Sequence, residues 1–159
     1  MKRNIYLDFS YLLFIAASFG AVIVLGAIVA PVIFHSDRYL VGMLIDHYNM
    51  GMLMGEIFRR FAYWAYFLAA FIAFYEAYMY KRGQRDAILF GAAVTAIFSA
   101  LMFAAVYVPK ILLMQAIGKE ATQSDTFANI HIASEIDFKL LAVALVVLFV
   151  RRLMLLRID

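Results

Sequence analysis

The sequence predicts an all-α fold, a four-helix transmembrane bundle with an additional amphipathic interfacial helix before the second span. Of the 159 residues, 67% are hydrophobic and 16% are charged, and the mean hydropathy is +0.88. An ordinary soluble domain is about half apolar and a quarter charged, so a soluble globular protein is excluded. One bilayer crossing needs roughly 20 apolar residues, so a single domain of this length holds four crossings with short connections.

Composition also excludes several classes of site. The chain has no cysteine, which removes disulfides, zinc-thiolate sites and cysteine-ligated iron-sulfur clusters. Its net charge of +3 is typical of a membrane protein whose basic residues set its orientation, and no basic cluster with interleaved aromatics indicates nucleic-acid binding. Phosphate-loop, dinucleotide and hydrolase motifs are absent, so hydrolase and kinase activities have no support in the sequence. The expected partner is the lipid bilayer, and homo-oligomerisation stays open.

The first span is predicted over residues 11–34. Its uncharged run is longer than the apolar region of a signal peptide, which indicates a retained span. Gly20 and Gly26 allow close helix contact in lipid, and Pro31 is expected to kink or end the helix in its last turn.

An amphipathic helix is predicted over residues 39–58, leading directly into a second span over 61–80. At 100° per residue one polar face collects Gly42, Asp46, Asn49, Glu56 and Arg60. Tyrosines and a tryptophan near both ends of the second span resemble interfacial aromatic belts. We interpret Glu76, near Lys81, as an interfacial residue that pairs locally.

The third span is predicted over 87–108 and the fourth over 131–151. Only residues 140–150 of the fourth segment are free of charge, which is too short to cross a hydrocarbon core of ~30 Å. The span must therefore extend back to His131 and include polar and charged side chains. These are Ser134, Glu135, Asp137 and Lys139.

Basic residues concentrate on one side of this topology. That side collects Lys2, Arg3, Lys81, Arg82, Arg85, Arg151, Arg152 and Arg157, whereas the opposite connections mix basic with acidic residues. By the positive-inside rule, both termini are predicted to be cytoplasmic, in a bacterial inner membrane.

A candidate metal site lies on the outer side, where all three histidines are predicted to fall. The stripe that follows helical spacing comprises Met43, His47, Met50 and Met54, and His131 opens the fourth span. Imidazole and thioether groups suit soft Cu(I), although methionine is also a common packing residue. Gly51 and Gly55 form a small-residue pair that predicts a helix contact.

The fourth span carries a second candidate cluster. His131, Glu135 and Lys139 recur at spacing four and share a face. Charges inside a span cost on the order of 3 kcal/mol each, so we expect this face to point into the bundle interior near Tyr107 and Lys110. The alternative is a Glu135–Lys139 ion pair that satisfies itself near the interface.

Four local patterns together resemble a known family. They are Gly20-x5-Gly26-Ala27-x2-Ala30-Pro31-x2-Phe34, Gly51-x3-Gly55-x2-Phe58, Tyr107-x-Pro109-Lys110 and Phe127-x3-His131-x2-Ser134. In this order they resemble the transmembrane protein 205-like family, also called domain of unknown function 4149, over nearly the whole chain. That family is distantly similar to copper resistance D membrane proteins and to a haem-associated protoporphyrinogen oxidase family.

The resemblance implies a four-helix bundle with metal or haem handling, and it brings no established activity. The leading hypothesis is copper handling or stress resistance through His47, Met50, Met54 and His131. A second is a membrane redox protein that binds haem b, with His131 as one axial ligand and His35 or His47 opposite. A third is a scaffold or accessory subunit whose ionisable residues only fix helix packing.

Overall fold

The computed structural model describes residues 5–41 and 45–156, and every regular element in that part of the chain is helical. The all-α prediction is therefore confirmed. The α-helices are α1 (Ile5–Ile23), α2 (Ala30–Phe34), α3 (His47–Lys81), α4 (Ala87–Met102), α5 (Val108–Ile117), α6 (Lys119–Thr122) and α7 (Asp125–Leu156). A short 3-10 turn, Ser36–Arg38, follows α2.

Two π-helical turns join successive α-helices without breaking the rod. Val24–Val29 joins α1 to α2, and Phe103–Tyr107 joins α4 to α5. Each turn precedes a proline in the first turn of the next α-helix, Pro31 or Pro109. Proline has no N–H and its ring collides with the carbonyl four residues earlier, which lies inside the π turn in both cases. The wider turn accommodates that carbonyl.

Within the described residues, three continuous helices are long and apolar enough to cross a membrane. They are Ile5–Phe34, His47–Lys81 and Ala87–Ile117, with hydropathies of 2.7, 1.3 and 2.2 over their best windows. The 32-residue α7 has the length for a span but carries more charge, because Glu135, Asp137 and Lys139 lie in its first half and two arginines near its end.

The prediction of a separate amphipathic helix over residues 39–58 is wrong in two respects, the residue at which the helix begins and its separation from the second span. The described residues between Tyr39 and Asp46 are not helical, and α3 then runs unbroken for 35 residues. Asp46 sets the start, because its carboxylate accepts a 2.8 Å hydrogen bond from the backbone N–H of Asn49 and caps the helix. It also pairs with Lys119 at 3.2 Å. The polar stretch thus forms the first turns of the second long helix.

The core forms where α7 packs against α1 and α4, and where α3 packs against α4. The buried face of α4 between its ends is almost all small, comprising Ala92, Ala93, Ala96, Ser99 and Ala100. Such residues let helices approach closely in lipid. Toward α5, three aromatic rings replace them, with the Phe103 and Phe138 centroids 5.0 Å apart and the Phe61 ring within 5.8 Å of both.

Candidate functional site

The three histidines lie around two adjoining clefts at one end of the packed helices, which we call the histidine end. The smaller cleft, about 180 Å³, is bordered by α3, α5 and α7 and is lined by His47, Met54 and His131. The larger, about 550 Å³, lies between α7 and the first long helix and is lined by His35, Met54 and His131. Met54 and His131 therefore border both clefts.

Each histidine is held by a local contact. His35 follows α2, and its Nδ1 lies 2.9 Å from the carbonyl oxygen of Pro31, which leaves Nε2 as its other polar atom. The His47 ring lies 5.5 Å from the ring of Phe34. His131 stacks on Phe127, with ring planes 5° apart, and its Nε2 lies 3.3 Å from Oε1 of Glu135.

The methionine stripe divides into members with different surroundings. Met54 is 3% exposed and lies at the boundary of the clefts, whereas Met50 is 7% exposed and lines neither. Met43 lies outside the described residues. Among the residues described, no group of three or more His, Cys, Asp or Glu side chains converges in a way that could hold a metal ion. A three-ligand metal site built from the described side chains at this end would therefore include a donor of another kind, such as the thioether of Met54.

Glu135 and Lys139 do not face the interior that the sequence predicts for them. Their side chains are 54% and 75% exposed, and they pair with each other at 3.6 Å on the rim of the larger cleft. Tyr107 is half-buried and Lys110 is exposed, and neither lines the two clefts. A self-satisfied ion pair, the alternative that the spacing also allowed, matches this arrangement.

The buried polar residues in the first half of α7 are Ser134 and Asp137, each 7% exposed. The Ser134 hydroxyl donates to the carbonyl of His131 at 2.7 Å, within its own helix. Asp137 is different, because its Oδ2 is buried and has no hydrogen-bond partner among the residues described.

The small-residue pair Gly51 and Gly55 forms the predicted helix contact, on the wall of the smaller cleft. The Gln115 amide of α5 donates to the carbonyl of Gly51 at 2.8 Å, and the Tyr48 hydroxyl donates to the carbonyl of Gln115 at 2.7 Å. A Cβ added at Gly55 would lie 2.5 Å from Oε1 of Gln115 and 3.2 Å from Leu112. This contact holds the first turns of α3 against α5.

A second polar cluster, which the sequence analysis missed, lies at the opposite end, which we call the arginine end. Arg152 is 1% exposed and donates to both carboxylate oxygens of Glu76, with Nε 3.0 Å from Oε1, and its Nη1 donates to Gln84 at 2.7 Å. Tyr11 donates to the same Glu76 at 2.8 Å. The local pairing predicted for Glu76 is therefore wrong, since its partner lies on another helix.

This network extends across α1 and α3. The Tyr75 hydroxyl donates to Asp8 at 2.6 Å, and the Tyr75 ring stacks on Tyr11 with centroids 3.7 Å apart. The Arg152 guanidinium lies 5.1 Å from the centre of the Tyr75 ring. Arg151 adds a bond to Asp86 at 2.6 Å, so the ends of three long helices and the turn before α4 are joined.

A comparison with protein-family models identifies the family of this chain. The family model described as domain of unknown function (DUF4149) matches residues 13–120, more than half of the chain. The chain belongs to the DUF4149 family. No curated protein and no solved structure matches it significantly.

In this member of the DUF4149 family, the family match covers His35, His47 and Met54 and ends before α7 begins. The third histidine and Arg152 are both supplied by α7. A sequence signal for the arginine-end network exists, because Asp8 and Glu76 are acids within or beside long apolar runs, where an unpaired charge is costly. A search for basic partners of Asp8 and Glu76 on other segments would have indicated the arginine-end network.

Proposed function

We propose that this membrane protein binds a soft metal ion, Cu(I), at the histidine end, through His47, Met54 and His131. The observation that carries the proposal is that these two imidazoles and one thioether line a single small cleft. Nitrogen and thioether ligands are those that Cu(I) favours, whereas a hard cation would require carboxylates. The role that fits such a site is copper handling or resistance at the membrane.

The side chains that line the smaller cleft suit a soft metal ion better than zinc. The chain has no cysteine, and the described residues bring no three His or acidic groups together, so the cleft does not offer the three nitrogen, thiolate or carboxylate ligands typical of a zinc site. Met54 is almost fully buried, so its sulfur is shielded from water as a Cu(I) ligand should be. Met50, one turn earlier on α3, lines neither cleft and is therefore left out of the proposed ligand set.

A competition titration tests the copper proposal. Purified protein in detergent is titrated with Cu(I) against a chromophoric chelator. We expect one equivalent to bind, and His47→Ala, His131→Ala and Met54→Leu each to weaken binding at least about tenfold. Met52→Leu is the matched control, because Met52 lies on the same helix and is 40% exposed. Equal binding by all variants would contradict the proposal.

The larger cleft supports haem b binding as a second candidate. It is lined by both His35 and His131, and its volume of about 550 Å³ lies within the range of cofactor sites. The Nδ1 contact of His35 with the Pro31 carbonyl is the kind that orients an axial histidine. Titrating the protein with haem b should then shift and sharpen the Soret band, and His35→Ala should remove that change while Cu(I) binding persists. Protein that binds neither ligand would support the scaffold hypothesis.

For the membrane arrangement, we propose four spans, with α7 as the fourth and both termini in the cytoplasm of a bacterial inner membrane. The proposal is supported by the length of α7 and its packing between α1 and α4. Its Glu135 and Lys139 pair with each other, which lowers the cost of placing them in the membrane. The arginine end would face the cytoplasm.

A further inference from the structure

A third cleft opens at the arginine end, between the last turns of α3 and the first half of α4, with a volume of about 710 Å³. The part of the cleft farther from the charged helix ends is an open apolar groove, lined by Ala73 and Ala77 on α3 and by Phe90, Val94 and Ile97 on α4. From Phe90 to Ile97 helix α4 rises about 10 Å, so the apolar part can follow a segment of an extended hydrocarbon chain.

The mouth of this cleft is charged, and its charges do not cancel. Its two carboxylates are occupied, since Glu76 is bound by Arg152 and Asp86 by Arg151. Two further cations line the mouth, Lys81 and Arg85, and neither has a carboxylate partner among the described residues. Both are exposed.

The cations are positioned to meet an anion at the end of the apolar channel. The Arg85 guanidinium lies over the Tyr80 ring, 5.1 Å from its centre, and both residues line the cleft. Arg152 lies at the back of the cleft and uses three of its five N–H donors on Glu76 and Gln84. An anionic group here meets positive charge, while a chain attached to it meets only apolar side chains.

We propose that this cleft binds one anionic phospholipid, with its phosphate at Lys81 and Arg85 and an acyl chain along Ala77, Phe90 and Val94. Basic pockets between membrane helices are known to bind the anionic headgroups of lipids. The proposal rests on the arginine end and is independent of any ligand at the histidine end. A lipid bound here bridges α3 and α4 on the outer surface of the ion-pair network.

Native mass spectrometry of the detergent-purified full chain tests the headgroup. We expect phosphatidylglycerol to bind as a single adduct in preference to phosphatidylethanolamine with the same acyl chains. Lys81→Gln and Arg85→Gln should each weaken that adduct roughly fivefold, and the double variant roughly thirtyfold. Arg82→Gln is the matched control, because it removes the same charge from the same turn outside the cleft. Equal losses in Arg82→Gln and the cleft variants would overturn the proposal.

A second pair of variants tests the acyl channel. Ala77→Phe fills the channel from an exposed position, and Ala16→Phe places the same ring on an exposed face of α1 away from the cleft. Only Ala77→Phe should remove the phosphatidylglycerol adduct. Soluble glycerol phosphate should fail to compete, since it lacks the chain. Effective competition by glycerol phosphate would overturn the lipid assignment, as would a dimer that Ala77→Phe dissociates without any lipid adduct in the wild type.

Discussion

Arg152 and Glu76 form a two-point ion pair between the last turns of α7 and α3, and the guanidinium is 1% exposed. Their separation of 76 positions in sequence makes this contact a tertiary one. The attraction within a buried ion pair offsets the desolvation of both charges only when the geometry is good and further hydrogen bonds are made. Here Gln84 and Tyr11 supply those bonds. The pair therefore fixes which helix ends meet.

The first prediction concerns this pair. Glu76→Ala should strongly destabilise the protein, because it leaves the Arg152 guanidinium buried without a counter-charge. Breaking a buried pair costs about 3–5 kcal/mol, equivalent to a fall of about 10 °C or more in Tm. Thermal unfolding in detergent measures it. Glu56→Ala is the control, since Glu56 pairs with Arg59 and Arg60 on an exposed surface and should change Tm little. A Tm for Glu76→Ala as high as that of the control would contradict the prediction.

The second prediction concerns the close contact at Gly55. Gly55→Ala should lower the Tm, because the added methyl group would lie 2.5 Å from Oε1 of Gln115. Gly20→Ala meets nothing within 4 Å and should be neutral or stabilise by about 0.5–1 kcal/mol through helix propensity. Combining Gly55→Ala with Gln115→Ala should restore part of the loss, and no recovery would argue against the contact as its cause.

The third prediction concerns topology. With four spans, a reporter fused after Arg85 should lie in the cytoplasm, and one fused after Glu120 should lie on the other side. A pair of reporters active only in opposite compartments, such as a phosphatase and a fluorescent protein, measures this. Both fusions reporting the same compartment would end the four-span proposal.

The fourth prediction concerns pH. Hydrogen bonds from Arg151, and then from the backbone N–H of Leu89, lower the pKa of Asp86 below its usual value. A folded-state pKa that is lowered contributes stability above the unfolded pKa, and this stability is lost as pH falls through the folded pKa. We therefore expect Tm to decrease below about pH 4.

Asp86→Asn isolates that effect. Asparagine keeps the cap of α4 at Leu89 but cannot ionise, so its Tm should fall less steeply over the same pH range. Parallel Tm curves for the two proteins would show that the Arg151 pair contributes nothing to the acid sensitivity.

Sequence reasoning succeeded where the information was local. The uncharged runs at 11–34 and 87–108 fall inside the first and third long helices, and the glycine pair of α3 forms a helix contact. The three histidines were expected on one side, and they line adjoining clefts at one end. Each of these features follows from spacing within a single segment.

The misses depend on contacts between segments. Spacing within one helix identified Lys81 as the neighbour of Glu76 and could not show that Arg152 arrives from α7. It also predicted a helix from residue 39, whereas the described residues before α3 are not helical and the carboxylate of Asp46 caps α3 at its start. Both prolines were visible, yet the wider turns that accommodate them require three-dimensional backbone geometry.

The π turns make the two halves of the molecule unequal in stiffness. Each lies in the half that holds the histidine end and weakens the regular hydrogen bonding of a long helix beside a proline. The other half is tied by ion pairs across helices. Backbone amides near Val29 and Val108 should therefore exchange with solvent deuterium sooner than those near Tyr75, so that the histidine end opens locally while the arginine end stays intact.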